Sequence, residues 1–447
     1  MLAETIIRIG RPIAKSHKLD CRERIRWLTD VSSESCKNFF QNVFVVEIGE
    51  QGVALSRHVL GRKITKGRKE NFEVDQKHCL AFPVLLPNGG NPLNAQGIYP
   101  IPCYLMYDAH IKAMMKRDEF IKVLLPRLQK TVSYHQMGIE EKERLAQQVS
   151  EVIEKHANEI VSEGKQLGVL MIFDEKLDVY KRFDLKKEDP DYIWIQESQL
   201  YPGHHLYLSG KEALRGIIDA RFDEAKTLGS EKNAISTFTN VQTDEVASIY
   251  NKSWLWLSPT WEMPKSIYWS DKDWIKGIRI DKESYEAFLY GTQYLKKIQA
   301  PISSGILKEM FAPVMNVEAK KHMNAASFET IYGIPMVYPL LDGDAEQHYN
   351  KLHRILKNEQ NSDDLQLKIL AGIDNRIVPG SGDDYRLTIL YYSGDLTKGN
   401  MHIRAMIEDV IPSIAKKLQL VMQKLNREVT GQIKQMFGIE SDFPIYR

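Results

Sequence analysis

Residues Tyr385–Ser413 read YRLTILYYSGDLTKGNMHIRAMIEDVIPS. Two runs rich in β-branched and aromatic residues, Tyr385–Tyr392 and Asn400–Met406, flank a Gly-containing polar turn, Ser393–Gly399, and this pattern predicts an antiparallel hairpin. Leu367–Ile373 reads as a further strand just upstream. After Met406 the pattern changes. Ile407–Ser413 contains Pro412, which suits an early helical position, and Ile414, Leu418, Val421, Leu425, Val429, Ile433 and Met436 then recur at helical spacing. At about 1.5 Å per residue that helix is roughly 35 Å long and carries an apolar stripe to be covered.

Strands and helices in this order predict an α+β fold. The expected organisation is a mixed N-terminal domain with irregular loops over residues 1–300, a helical and β-hairpin region over 301–411, and a C-terminal amphipathic helix over 412–447 that opens a bundle or stands alone. Working back from the hairpin, Lys357–Asp364 is a polar connector, while Ser303–Met323 and Lys282–Ile298 read as helices. Five of the seven tryptophans fall between Trp254 and Trp274. Trp254 and Trp256 alternate with Leu255 and Leu257, which favours core packing over a base-stacking platform. Gly168–Phe173 and Tyr192–Ile195 are predicted strands. Ala109–Leu125 and Gly138–Gln166 are predicted helices, the second with Leu145, Val149, Val152, His156 and Ile160 on one stripe.

The formal charge is only +1, but it is unevenly spread: the first 150 residues hold 23 basic and 16 acidic side chains, and the remainder 37 and 43. The basic excess peaks at Arg57–Lys69, where Arg57, Arg62, Lys63, Lys66, Arg68 and Lys69 occur with two glycines and no carboxylate. A loop or hairpin of this kind follows phosphates, each neutralised phosphate steepening the salt dependence by roughly 0.9 log units; a solvated surface loop is the plainer alternative. Downstream, Leu85–Gly97 is too rich in Gly and Pro for a helix or central strand. Its Asn88, Gly89, Gly90, Asn91 and Asn94 combine close backbone approach with amides that both donate and accept, which suits a groove of duplex DNA.

No two of Cys21, Cys36, Cys79 and Cys103 have zinc-knuckle spacing, and no apolar run is long enough for a signal-peptide core or a bilayer span. A reduced, cytoplasmic protein is expected. Hydrolase and zinc-protease motifs are missing, and Gly394–Gly399 has Asn400 where a phosphate loop needs Lys. Gly382-Asp383-Asp384 is the acidic triplet of palm-like nucleotidyl-transfer enzymes, which hold two metal ions on such a turn. Its Pro/Gly-rich flank departs from that pattern, so a metal-dependent enzyme using Asp383 and Asp384 stands as the rival reading. Asp342-Gly343-Asp344 reads as a turn.

The order strand, hairpin, strand, then Ile-Glu-Asp-Val-Ile-Pro-Ser before a long helix resembles the large subunit of subtype I-B CRISPR Cascade complexes. The likeness covers roughly Leu367–Leu425 and centres on Tyr391-Tyr392 and Glu408–Ser413. The resemblance implies a non-catalytic, cofactor-free subunit of an RNA-guided surveillance complex. Such a subunit recognises the protospacer-adjacent motif in duplex DNA, aids strand opening and R-loop formation, and recruits a helicase-nuclease. It also implies CRISPR RNA and the backbone and small Cascade subunits as partners. Members often carry a cysteine knuckle and a full C-terminal bundle. The cysteine spacing here departs from the first, and the short run after Ser413 from the second, so that either a separate chain supplies the bundle or this one is a shortened form. On this reading Arg57, Arg62, Lys63, Lys66, Arg68 and Lys69 meet phosphates, and Asn88, Gly89, Gly90, Asn91 and Asn94 meet a groove.

Overall fold

The computed structural model describes residues 2–29, 37–66, 69–84, 97–157, 166–249, 275–301, 330–341, 343–359, 384–394 and 402–411, with the helical positions 417, 420, 421, 424 and 436. The fold is α+β. Leu2–Lys15 (α1) and Cys21–Leu28 (α2) lead into the strands Val43–Gly49 (β1) and Gly52–His58 (β2), followed by the hairpin Gly61–Lys66 (β3) and Lys69–Val74 (β4). Cys103–Met106 (β5), the helices Asp108–Met114 (α3), Arg117–Gln129 (α4) and Ile139–Lys155 (α5), and Gly168–Asp174 (β6) complete a sheet of order β2-β1-β6-β5, in which β1 and β6 run parallel. Every residue of β6 is buried, so the predicted strand at Gly168–Phe173 is present and covered on both faces.

Alternation along β1 and β6 divides the apolar side chains between two cores. Phe44, Val46, Leu170 and Ile172 pack with Phe120, Leu124, Leu128, Val149 and Ile153 of α4 and α5. Val43, Val45, Val169, Met171 and Phe173 join a larger core on the opposite face. The helix predicted as Ala109–Leu125 is two helices. Lys116 is extended (φ −132°, ψ 115°), and Asp118 and Glu119 supply acidic residues to the first turn of α4. In α5 the buried face is led by Leu145, Ala146, Val149 and Ile153; Val152 is only half-buried, and His156 terminates the helix.

The larger core is extended by a three-stranded sheet of order β7-β9-β8, made of Tyr180–Phe183 (β7), Tyr192–Glu197 (β8) and His205–Ser209 (β9). The buried Glu47 carboxylate ties this sheet to β1, accepting from the Ser198 hydroxyl and from the Gln199 amide at 2.7 Å. Gly210–Lys226 (α6) follows. Next come the antiparallel strands Ser230–Ile235 (β10), Gln242–Ser248 (β11) and Arg279–Asp281 (β12), and then Lys282–Ile298 (α7), whose bounds match the expected helix.

Ala300–Pro301 (β13), Ile331–Pro339 (β14), Tyr385–Ser393 (β15) and His402–Val410 (β16) form an antiparallel sheet in that order, with Ala345–Glu359 (α8) between β14 and β15 in the chain. The expected C-terminal hairpin is β15–β16. Its second strand runs through Ile407 to Val410, where the turn toward helix was expected. Pairing continues because a register shift between Leu387 and Ile389 accommodates Asp409 at φ 59° and returns Val410 to Leu387. Lys417, Leu420, Val421, Lys424 and Met436 are helical and exposed. The predicted strand Leu367–Ile373, the predicted helix Ser303–Met323 and the tryptophan cluster lie outside the described residues.

α1 packs along α7 with almost no space between the backbones: a Cβ on Gly10 would stand 1.7 Å from the Ala287 carbonyl oxygen, and one on Gly291 2.2 Å from that of Ile6. The same helix reaches the C-terminal sheet through Arg8, which donates to the Leu340 carbonyl, and the Ser16 hydroxyl donates to Glu346 of α8 at 3.1 Å. One core therefore runs continuously from Leu2 to Tyr392.

Candidate nucleic-acid interface

The basic segment is built as a two-stranded ribbon rooted in the core. Leu60 and Phe72 are buried, the Leu60 amide donates to Phe40 at 2.9 Å, and the Asp75 amide donates back to Leu60 at 3.1 Å, fixing both ends of the ribbon. Gly61 sits at φ 152°, and an added Cβ would meet the Glu73 carbonyl at 2.2 Å and the Phe72 ring at 2.7 Å. Only glycine fits that corner. The register pairs Lys63 with Phe72, Thr65 with Glu70 and Lys66 with Lys69, so two lysines oppose each other at the last pair before the turn.

The six cations are not equivalent. Lys63 is exposed on β3, and Lys66 and Lys69 close the ribbon. Arg62 lies on β3 but is ion-paired with Glu73 at 2.9 Å. Arg57 belongs to β2 instead of the ribbon: it donates to Asn42, and its guanidinium lies 6.0 Å from the Phe44 ring centroid. A window ending at Lys69 shows no carboxylate, yet the return strand brings Glu73 opposite Arg62, with Glu70 opposite Thr65. Arg68 lies outside the described residues, as do Asn88, Gly89, Gly90, Asn91 and Asn94.

Tyr392 and Asp409 of the C-terminal hairpin have structural partners. Tyr392 is buried, stacks on Tyr332 with centroids 5.3 Å apart and donates to Gln299. Asp409 is paired with Arg386 at 3.4 Å. Asp384 is exposed at the head of β15 and Asp383 lies outside the described residues; Asp344 accepts from the Glu346 amide at 2.9 Å and starts α8, which fits the expected turn. Among the described residues no three His, Cys, Asp or Glu side chains are grouped to hold a metal ion, and no helix is long and apolar enough to cross a membrane.

No family model matches the chain, and no curated protein matches it.

Sequence reasoning passed over Trp194. It lies in the segment read only as a strand, where alternation alone places a large aromatic in the interior as readily as outside. Its neighbours Ile193 and Ile195 are buried, while Trp194 is 43% exposed at the root of the basic ribbon. Burial holds the stacked His78 below the usual histidine range.

Proposed function

We propose that this chain is the non-catalytic large subunit of an RNA-guided CRISPR Cascade complex, acting in the cytoplasm on double-stranded target DNA. Guide RNA reads sequence by base pairing. This subunit recognises the protospacer-adjacent motif, helps the strands part and recruits a helicase-nuclease. The observation that carries the reading is the core-anchored ribbon β3–β4 with lysines concentrated toward its tip. A major groove admits a two-stranded β-ribbon, and lysines at its end reach the phosphates on either side. The β15–β16 hairpin adds the family likeness.

The test is a salt series of duplex titrations with the full chain. Lys63→Ala combined with Lys66→Ala should weaken binding and flatten the log–log salt slope by about two, at roughly 0.9 for each phosphate left without its lysine. Asn91→Ala should instead change preference across a library of flanking motifs. Unchanged slope and unchanged preference would remove both assignments. Co-purification with a short RNA and a repeated backbone subunit is the expected state of the assembly. Magnesium-dependent nucleotide turnover that disappears in Asp384→Ala would replace this reading with the enzyme rival.

A further inference from the structure

Trp194 is held open by its surroundings. It lies on β8, an edge strand of its sheet, where a register shift between Trp194 and Gln196 lets Ile195 and Gln196 both turn inward. A bulge of this kind re-aims a side chain. The indole stacks on His78, with ring centroids 4.6 Å apart and planes at 27°. His78 is fixed in turn, because its Nε2 donates to the Ile195 carbonyl at 2.7 Å.

This aromatic pair lines a cleft of about 740 Å³ that also presents Arg22, Arg26 and Lys77. Arg26 and Lys77 are exposed, and Arg22 is braced by the Tyr192 carbonyl at 2.8 Å. Three carboxylates share the cleft, and each serves the backbone. Asp20 accepts from the Glu23 amide at 2.8 Å, Glu23 accepts from the Asp20 amide at 3.2 Å, and Asp75 accepts from the Lys77 and His78 amides at 3.1 and 3.2 Å. The wall that holds Lys77 and His78 begins at Asp75, directly after β4 ends at Val74. The cleft is thus continuous with the base of the ribbon.

We propose that the Trp194–His78 stack is a platform for an unpaired base of a single nucleic-acid strand, whose phosphates meet Arg26 and Lys77. Every base has a face that stacks on an indole, whatever its sequence, and cations beside the ring follow the backbone. The apolar residues beside Trp194, Leu80 and Ile193, are buried, so the indole is not part of the contiguous exposed apolar patch that marks a protein-docking surface. The inference deepens the proposed function, since strand opening leaves unpaired bases near the duplex-binding ribbon, and it rests on that reading for the source of the strand.

The experiment measures binding of the full chain to fluorescent oligo(dT), oligo(rU) and motif-bearing duplex. Trp194→Ala should weaken single-strand binding by about 5- to 160-fold, the range expected for one stacked base, with duplex affinity unchanged. Trp194→Phe should retain most of the binding, and Arg26→Glu with Lys77→Glu should weaken it through the phosphates. The dT and rU arms show whether the strand is DNA or RNA. Unaltered single-strand affinity in Trp194→Ala overturns the proposal, as does a parallel loss for duplex. So does loss of a protein subunit from the assembled complex with single-strand binding intact. If the wild-type chain fails to recognise duplex while Trp194→Ala still weakens single-strand binding, the proposed function falls and the platform stands; the opposite pattern removes the platform alone.

Discussion

His110 is 2% exposed, and its Nδ1 accepts from the Tyr107 amide at 3.2 Å. The Arg127 guanidinium lies 3.2 Å from the same ring. Burial, reinforced by that positive charge, pushes the imidazole down to about 4 from an ordinary 6.5. The unfolded chain therefore binds a proton between pH 6.5 and 4 that the native state refuses. Stability falls as pH drops through this window and is recovered above 6.5, with a ceiling of about 3 kcal/mol from this one residue. Thermal melts of the wild type at pH 7 and 4.5 should differ more than those of His110→Asn, which keeps a polar side chain but has no proton to gain. Equal pH sensitivity in the two proteins would remove His110 as a source of the acid lability.

At the scale of elements, the α1–α7 crossing is decided by two glycines. With Gly10 set against the Ala287 carbonyl and Gly291 against that of Ile6, a methyl group at either position must push the helices apart. Gly10→Ala and Gly291→Ala should each cost about 1–3 kcal/mol despite the better helix propensity of alanine, read as a lower midpoint in urea. A stabilised variant would show that the helices are not so closely apposed. This crossing was not legible in the sequence, because neither helix announces its partner. Local patterns were legible. The hairpin at Tyr385–Met406, the buried run at Gly168–Phe173 and the bounds of α7 follow from periodicity and turn residues within one segment, whereas Arg57–Lys69 reads as a loop or hairpin and the ribbon found spans Gly61–Val74. The candidate site was half legible for the same reason. The cations at Lys63, Lys66 and Lys69 are visible in a row, but the Arg62–Glu73 pair depends on strand register, and the outward turn of Trp194 depends on a bulge against β9.

For the whole molecule, charge divides near residue 150 while the core does not. Ile6 of α1 is fully buried in the same cluster as Val45 of β1 and Leu390 of β15, so the basic front and the C-terminal hairpin are mechanically joined through the first helix. The shared core predicts that the supports of the ribbon β3–β4 and of the β15–β16 sheet open together. Ile6→Ala removes buried methyl and methylene groups at their shared support and should cost about 2–5 kcal/mol. Native-state hydrogen exchange should then show the protection of β1 and β15 amides falling together, by similar free energies, since opening the core exposes both sheets in one event. If β15 loses protection while β1 keeps it, the two ends unfold independently.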